Sequence, residues 1–261
     1  MSQNEEWKDY WVTSICELRG VDIFIRGYSL PELIGKYSYG SVLFLTLKGR
    51  LPNKLEEEMM EALLCALPDH AFIAAAVPAA RFVASGNPNL TAGLAAGVLA
   101  MGSQATSPEG AGRLIYRADE MREKENLSIT DVADLIVNEY RENKKRIPGM
   151  GLPVGIEYDV RGKKLREIAE KKGLIGPKTL IYENIREKLS KGLKRNIPIN
   201  VDGRMACILC EMDFDPLEMG GIAAISYLPG ILAHVIEEMK GGKPLRILPD
   251  IITKYSGIPP R

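Results

Sequence analysis

The sequence predicts an all-α fold of a large and a smaller helical domain, on three observations. Apolar residues recur at helical spacing nearly throughout the chain. Two consecutive segments are dominated by small side chains, and from residue 127 the helical segments become amphipathic and rich in charge. Taken in order, "LPELIGKYSYGSVLFLTLKG" divides into two short apolar faces, and "NKLEEEMMEALLCAL" repeats apolar residues behind Pro52 and Asn53, a good helix start. "HAFIAAAVPAARFVASG" and "LTAGLAAGVLAMGS" follow as two helices whose small side chains let backbones approach closely, which suits a central packed hairpin. "LSITDVADLIVNEYREN", "VRGKKLREIAEKKGL" and "LIYENIREKLSKGL" have the charge of a more exposed layer, and "LEMGGIAAISYLPGILAHVIEEM" returns to apolar helix. The expected division is residues 1–107 with 223–261 for the large domain and 108–222 for the small one.

Composition excludes several function classes. At 261 residues the chain can bury a large core. Lys plus Arg and Asp plus Glu number 34 each, so there is no basic field for nucleic acid, and any anionic ligand must meet a local cluster. The start, "MSQNEEWKDYW", lacks the order of a signal peptide, and no run reaches the roughly eighteen apolar residues of a membrane span. A soluble, cytoplasmic protein with no membrane partner is expected. Four cysteines include one close pair, Cys207 and Cys210, inside an apolar helical pattern, where they read as small buried hydrophobes. With only two histidines, a metal centre is not expected, and no P-loop, GxSxG elbow or dinucleotide fingerprint is present.

The stretch "PINVDGRMACIL", residues 198–209, sets Asp202 against an apolar run. Two readings stand: an N-cap, whose side-chain oxygen satisfies a free backbone N–H, or a base held in a partly dry cleft. "ENKKRIPGMG" joins Lys144, Lys145 and Arg146 to a loop in which Gly149 and Gly151 let the backbone come close to a ligand.

The order of segments resembles the citrate synthase family. "IRGYSLPELIGKYSYGSVLFLTLKGRLPN" is similar to that family's entry segment, and "DHAFIAAAVPAARFVAS" to its Asp-His segment and following helix. "IPGMGLPVGIEYDVRGKKL" is similar to its Pro-Gly-x-Gly-His-x-Val loop with an Asp-Pro-Arg-like element, "INVDG" to its Asn-Val-Asp loop, and "ISYLPGILAHVIEE" to its late helix. The resemblance implies an all-α homodimer that makes or breaks a carbon–carbon bond between an acyl-CoA and an oxo acid. It implies no tightly bound cofactor, with a coenzyme A ester as substrate.

By this resemblance Asp202 moves a proton to or from the acyl carbon, and His70 and Arg161 hold the oxo acid, the arginine through two parallel hydrogen bonds. Arg246 matches an arginine that reaches into the partner subunit's site. Lys144, Lys145, Arg146, Ile147, Gly149, Met150 and Gly151 form the CoA loop, and His234 reads as packing. Three positions depart from the family. "SPEGAG" puts Glu109 or a near neighbour at the place of one histidine, Leu152 replaces another, and Tyr227 replaces an arginine that clamps a carboxylate. A protonated Glu109 could donate to the thioester oxygen, whereas Leu152 can neither donate a proton nor polarise a carbonyl.

The first departure and the Asn-Val-Asp-Gly loop resemble the branch of short citryl-CoA lyases and the lyase module of ATP-citrate lyase. The expectation is citryl-CoA lyase-like cleavage of a 3-hydroxy-acyl-CoA. The alternatives are Claisen-type condensation of an acyl-CoA with a less polar oxo compound, or a catalytically impaired partner or binding subunit, and a second subunit is a possible partner.

Overall fold

The computed structural model describes residues 10–102, 107–152 and 156–258; residues 1–9, where the signal-peptide reading begins, lie outside them. The architecture is helical, with eleven α-helices among the described residues. It opens on a feature that the helical pattern does not announce. Strands β1 (Cys16–Arg19), β2 (Asp22–Ile25) and β3 (Tyr28–Ser29) form a small antiparallel sheet in the order β1-β2-β3, with Glu17 opposite Phe24 and Phe24 opposite Ser29. Two-residue turns make it possible: Arg26 and Gly27 both have positive φ, as a tight hairpin turn requires. The strands are too short for a period of two to stand out. Arg26 ties the sheet to the helices by donating to the Thr46 carbonyl at 3.0 Å.

Helices α1 (Leu30–Leu33) and α2 (Tyr39–Lys48) come from the first predicted segment, which divides as expected. Asn53 caps α3 (Lys54–Leu64) in a reciprocal capping box with Glu56. The small-residue segments become α4 (Ala76–Gly86) and α5 (Leu90–Leu99). Their close packing is as expected, but α5 is not central: only Gly93 and Gly97 of it are buried, and Leu99 is 84% exposed. Its glycines are needed because Val235 and Ile231 of the last helix fill the space a Cβ would take.

The charged layer comprises α6 (Glu109–Lys124), α7 (Ile129–Glu142), α8 (Val160–Lys171) and α9 (Pro177–Leu193). Helix α10 (Val201–Glu211) is buried along nearly its whole length, and α11 (Pro216–Gly241) is the longest. The start of α11 packs on α6, where Gly112 makes room for Met219, while its later turns pack on α5. It runs unbroken through the expected boundary at 222/223, and one apolar cluster extends from Phe44 through Ile136, Tyr182 and Met205 to Val235. By length and composition α11 could span a membrane, contrary to the sequence reading, yet it packs against five other helices and carries the buried Glu238. Cys207 and Cys210 are buried free thiols, as predicted, and burial pushes the Cys207 thiol up to about 12.

Candidate active site

The "INVDG" loop forms the start of α10, and its capping residue is Asn200. The Asn200 side chain accepts the Gly203 N–H at 3.0 Å, so Asp202 is not the cap; it stands in the first turn. The glycine loop lies directly against this turn. Asn200 donates its backbone N–H to the Gly149 carbonyl at 3.1 Å, and the Gly151 N–H donates to Pro198 O at 2.8 Å. A Cβ on Gly149 would stand 2.6 Å from Gly203 Cα, and Gly149 has φ +75°, so both glycines are required for this contact. The buried Tyr182 clamps the loop from α9 by donating its hydroxyl to the Pro148 carbonyl.

Asp159 joins α8 to α10. It caps α8, grips Arg161 through two bonds of 2.9 Å, and accepts the Val201 N–H at 2.9 Å. Burial pushes its carboxyl up, but the Arg161 bonds and charge and two backbone N–H groups outweigh that and hold it below the usual range. Arg161 is thereby fixed while its Nη1 remains buried with no hydrogen-bond partner. Asp202 Oδ1 and the Tyr227 hydroxyl are among the other buried polar atoms in that condition, with Arg166 Nη1, Thr179 Oγ1 and Arg204 Nε.

These groups sit close enough for their charges to act on one another. Burial pushes the Asp202 carboxyl up to about 6; Arg161 opposes the shift, Asp159 adds to it, and the Ser107 backbone N–H opposes it. His70 is held below the usual histidine range by burial and then by Arg161, with Asp159 and Asp69 pulling the other way. Burial and the Asp69 charge raise the Tyr227 hydroxyl, against the His70 backbone N–H and Arg161. Thus three sequence-predicted residues from separate parts of the chain, His70, Asp202 and Tyr227, all lie within reach of the charge of a fourth, Arg161. What they offer is a proton-transfer group poised near neutrality, a fixed guanidinium, an imidazole biased toward its neutral form and a neutral hydroxyl donor.

Other predicted residues are placed differently. Glu109 pairs with Arg113 one turn later on α6, at 2.8 Å, so in this structure its carboxyl is turned to a cation of its own helix. Arg246 is bonded to the buried Glu238 of its own chain through contacts of 2.6 and 2.8 Å. Ile147 is a core residue, 4% exposed, so its side chain is not available to a ligand. Lys144, Lys145 and Arg146 are exposed and make no ion pair among the described residues, which leaves their charge available. Met150 bridges to Ile199, and Leu152 is half-buried at the end of the loop. Sequence reasoning missed the work of Asp159, Tyr182 and Asn200. Asp159 and Asn200 had a signal, an acid two residues before Arg161 and an asparagine, each at a helix start, whereas Tyr182 had none.

Among the described residues no group of three or more His, Cys, Asp or Glu is arranged to hold a metal ion. A cavity of about 370 Å³ opens beside Asp159, lined in part by Arg166, Glu183 and Arg204, and does not include Asp202, His70 or Tyr227. Glu183 accepts from both arginines at 2.7 Å, so this network braces α8, α9 and α10 behind the site.

Residues 53–248 match the family described as citrate synthase, C-terminal domain. The structure of citryl-CoA lyase from Hydrogenobacter thermophilus is 37% identical, with a TM-score of 0.87 over 96% of each chain. A structure of ATP citrate lyase from Methanosaeta concilii in complex with (3S)-citryl-CoA shares the fold, with a TM-score of 0.78 at 19% identity, over 95% of this chain and 42% of that one. Citrate synthase 2 of Bacillus subtilis is 25% identical over 222 residues, and the match takes in 85% of this chain but only 58% of that relative's length. Fold, ordered motifs and these likenesses agree, and the chain belongs to the citrate synthase family.

Proposed function

We propose that this protein cleaves a 3-hydroxy-acyl-CoA of the citryl-CoA type into acetyl-CoA, or a related acyl-CoA, and an oxo acid, with Asp202 as the proton-transfer group. The observation that carries the reading is that Asp202, His70 and Tyr227 all lie within reach of the Arg161 charge, while Asp202 Oδ1, Arg161 Nη1 and the Tyr227 hydroxyl are buried without a hydrogen-bond partner. Such atoms are costly to leave unpaired, and a ligand that pairs them recovers the cost. The likeness to the Hydrogenobacter thermophilus citryl-CoA lyase supports the same reading.

In cleavage the substrate hydroxyl loses its proton, its oxygen becomes the carbonyl of the oxo acid, and the carbon–carbon bond electrons pass to the thioester as an enolate. Protonated Asp202 then delivers a proton to the acyl carbon. His70 takes the hydroxyl proton in this scheme, since Leu152 cannot. Arg161 holds a carboxylate of the oxo acid, and Tyr227 provides a second, uncharged donor. The thioester oxygen needs a donor as charge develops, and the start of α6, which has no side-chain cap and adjoins Ser107, supplies backbone N–H groups. Lys144, Lys145 and Arg146 serve the phosphates of CoA, with Gly149, Met150 and Gly151 as the backbone surface against it. The protein acts as a homodimer, because α5 and the C-terminal segment leave Val98, Leu99, Leu245, Ile247 and Ile251 exposed.

The test is cleavage of citryl-CoA by the purified protein, following acetyl-CoA and oxaloacetate together. The expected outcome is turnover that falls by about 10²–10⁴-fold in Asp202→Asn. Equal turnover in both proteins would overturn the role of Asp202. No turnover in either would overturn citryl-CoA as substrate and favour condensation, or a less polar partner selected by Leu152 and Tyr227.

A further inference from the structure

One face of α11 is devoted to the chain that carries His70. Ser226 donates to Leu64 O at 2.9 Å and accepts the Leu67 N–H at 3.1 Å. One turn on, Gly230 has no side chain where Pro68 O and Asp69 Cβ lie against it, the latter 2.9 Å from where a Cβ would be. A further turn on, His234 Nε2 stands 3.2 Å from Asp69 Oδ1. The spacing of four places all three residues on one side of the helix.

The segment they hold is conformationally unusual. His70 has φ −140° and ψ 26°, and Ala71 has φ +48°, a left-handed backbone that alanine adopts only where its surroundings impose it. Asp69 Oδ2 accepts the Ala71 N–H at 3.0 Å. The same carboxylate therefore fixes the turn with one oxygen and meets His234 with the other.

The state of His234 follows from its second neighbour. Arg81 Nη1 lies 3.2 Å from His234 Nδ1, and a guanidinium can only donate, so Nδ1 accepts and the ring proton is on Nε2, facing Asp69. Arg81 is itself held by the fully buried Glu238 at 2.6 Å, and Glu238 is closed on its other side by Arg246. The Phe72 ring packs on His234 in a T-shaped arrangement with centroids 5.6 Å apart. A line of directed bonds thus runs from the C-terminal segment to the turn that presents His70.

We propose that His234 and Asp69 are positioning residues for His70: His234, set in its Nε2–H form by Arg81, fixes the Asp69 carboxylate, which in turn holds the His70–Ala71 turn toward the substrate. This rests on the reading above, in which His70 meets the oxo-acid end. It replaces the expectation that His234 is packing alone.

The chain has only two histidines, so a tag-free protein labelled with ¹⁵N-histidine gives two imidazoles to observe. In His234→Ala and His234→Gln the single remaining imidazole is His70. The expected result is an Nε2–H ring for His234 in the native protein, and displaced His70 ring signals in His234→Ala. His234→Gln should restore near-native signals, because its amide can accept from Arg81 and donate to Asp69. KM for citryl-CoA should rise about ten- to a hundred-fold in His234→Ala, with kcat less affected, and return to within a few-fold in His234→Gln. Unmoved His70 signals in a folded His234→Ala protein would overturn the proposal. Asp69→Ala, at a half-exposed position, carries the same test should His234→Ala not fold. If the native protein does not cleave citryl-CoA, the functional reading fails, and the His70 signals still decide whether the pair positions that ring.

Discussion

Asp202 combines two roles that pull against each other. Burial raises its carboxyl from 3.8 to about 6, so the folded protein binds a proton more tightly than the unfolded chain does. The sign follows: stability falls as pH rises from about 4 to 6, and the loss persists above 6. Replacing the charge with Asn should therefore stabilise the protein at pH 8 by about 2 kcal/mol, or roughly 5 °C in melting temperature, with the gain shrinking toward pH 4. A melt of Asp202→Asn at several pH values checks this, and a uniform loss of stability would contradict it. The same shift sets the rate. Cleavage needs the protonated carboxyl and should decline as pH rises through about 6, while condensation needs the carboxylate and should increase there. Measuring both directions on one enzyme checks that the limb near 6 changes sign between them.

At the scale of elements, the site depends on a loop pressed against a helix start. Gly149 and Gly151 both have positive φ, but they differ in their surroundings. A side chain at Gly149 meets the Gly203 backbone and the Tyr182 hydroxyl, whereas one at Gly151 meets nothing within 4 Å. Gly149→Ala should cost about 3 kcal/mol or more, since backbone atoms must move in addition to the conformational penalty. Gly151→Ala should cost about 1–2 kcal/mol, the conformational penalty alone. Chemical denaturation of the two variants measures the difference. Gly149→Ala should also lower activity, because Gly203 follows Asp202 directly. Equal stabilities would show that the loop and α10 are not in the contact described. The capping boxes of α3, α7 and α11 and the Asn caps of α5 and α10 put these helix starts within reach of sequence reasoning. The N-terminal sheet was not within reach, because its strands are short and its second turn depends on Arg26 adopting a backbone that arginine seldom takes.

For the whole molecule, the exposed apolar residues decide what the chain needs around it. Leu99 at the end of α5 and Ile251 in the tail are 84% and 91% exposed. If a second copy covers them, mass in solution should be twice the 28.8 kDa of the chain. Light scattering coupled to gel filtration checks this, and Leu99→Glu should move the population toward monomer without changing the helical content. A native monomer at micromolar concentration would remove the homodimer from the reading. The network from Arg246 through Glu238, Arg81 and His234 to Asp69 also belongs to this scale, since it connects the tail to the site.

Sequence by itself determined the helical class, most helix starts, the burial of Cys207 and Cys210, and a short list of chemical residues. These follow from local rules, spacing and capping, or from ordered motifs. His70, Arg161, Asp202 and Tyr227 were on that list without any local reason to be neighbours. Only the tertiary structure decided that the other three lie within reach of the Arg161 charge, that Asn200 and not Asp202 caps α10, and that Glu109 pairs with Arg113. It also showed why Asp159 matters, since that residue's three bonds reach Arg161 and Val201, the latter 42 positions away. The physical reason is common to all of these. A carboxylate's role is set by which donors and charges surround it and by how much water it has lost, and both are properties of packing between segments distant in the chain.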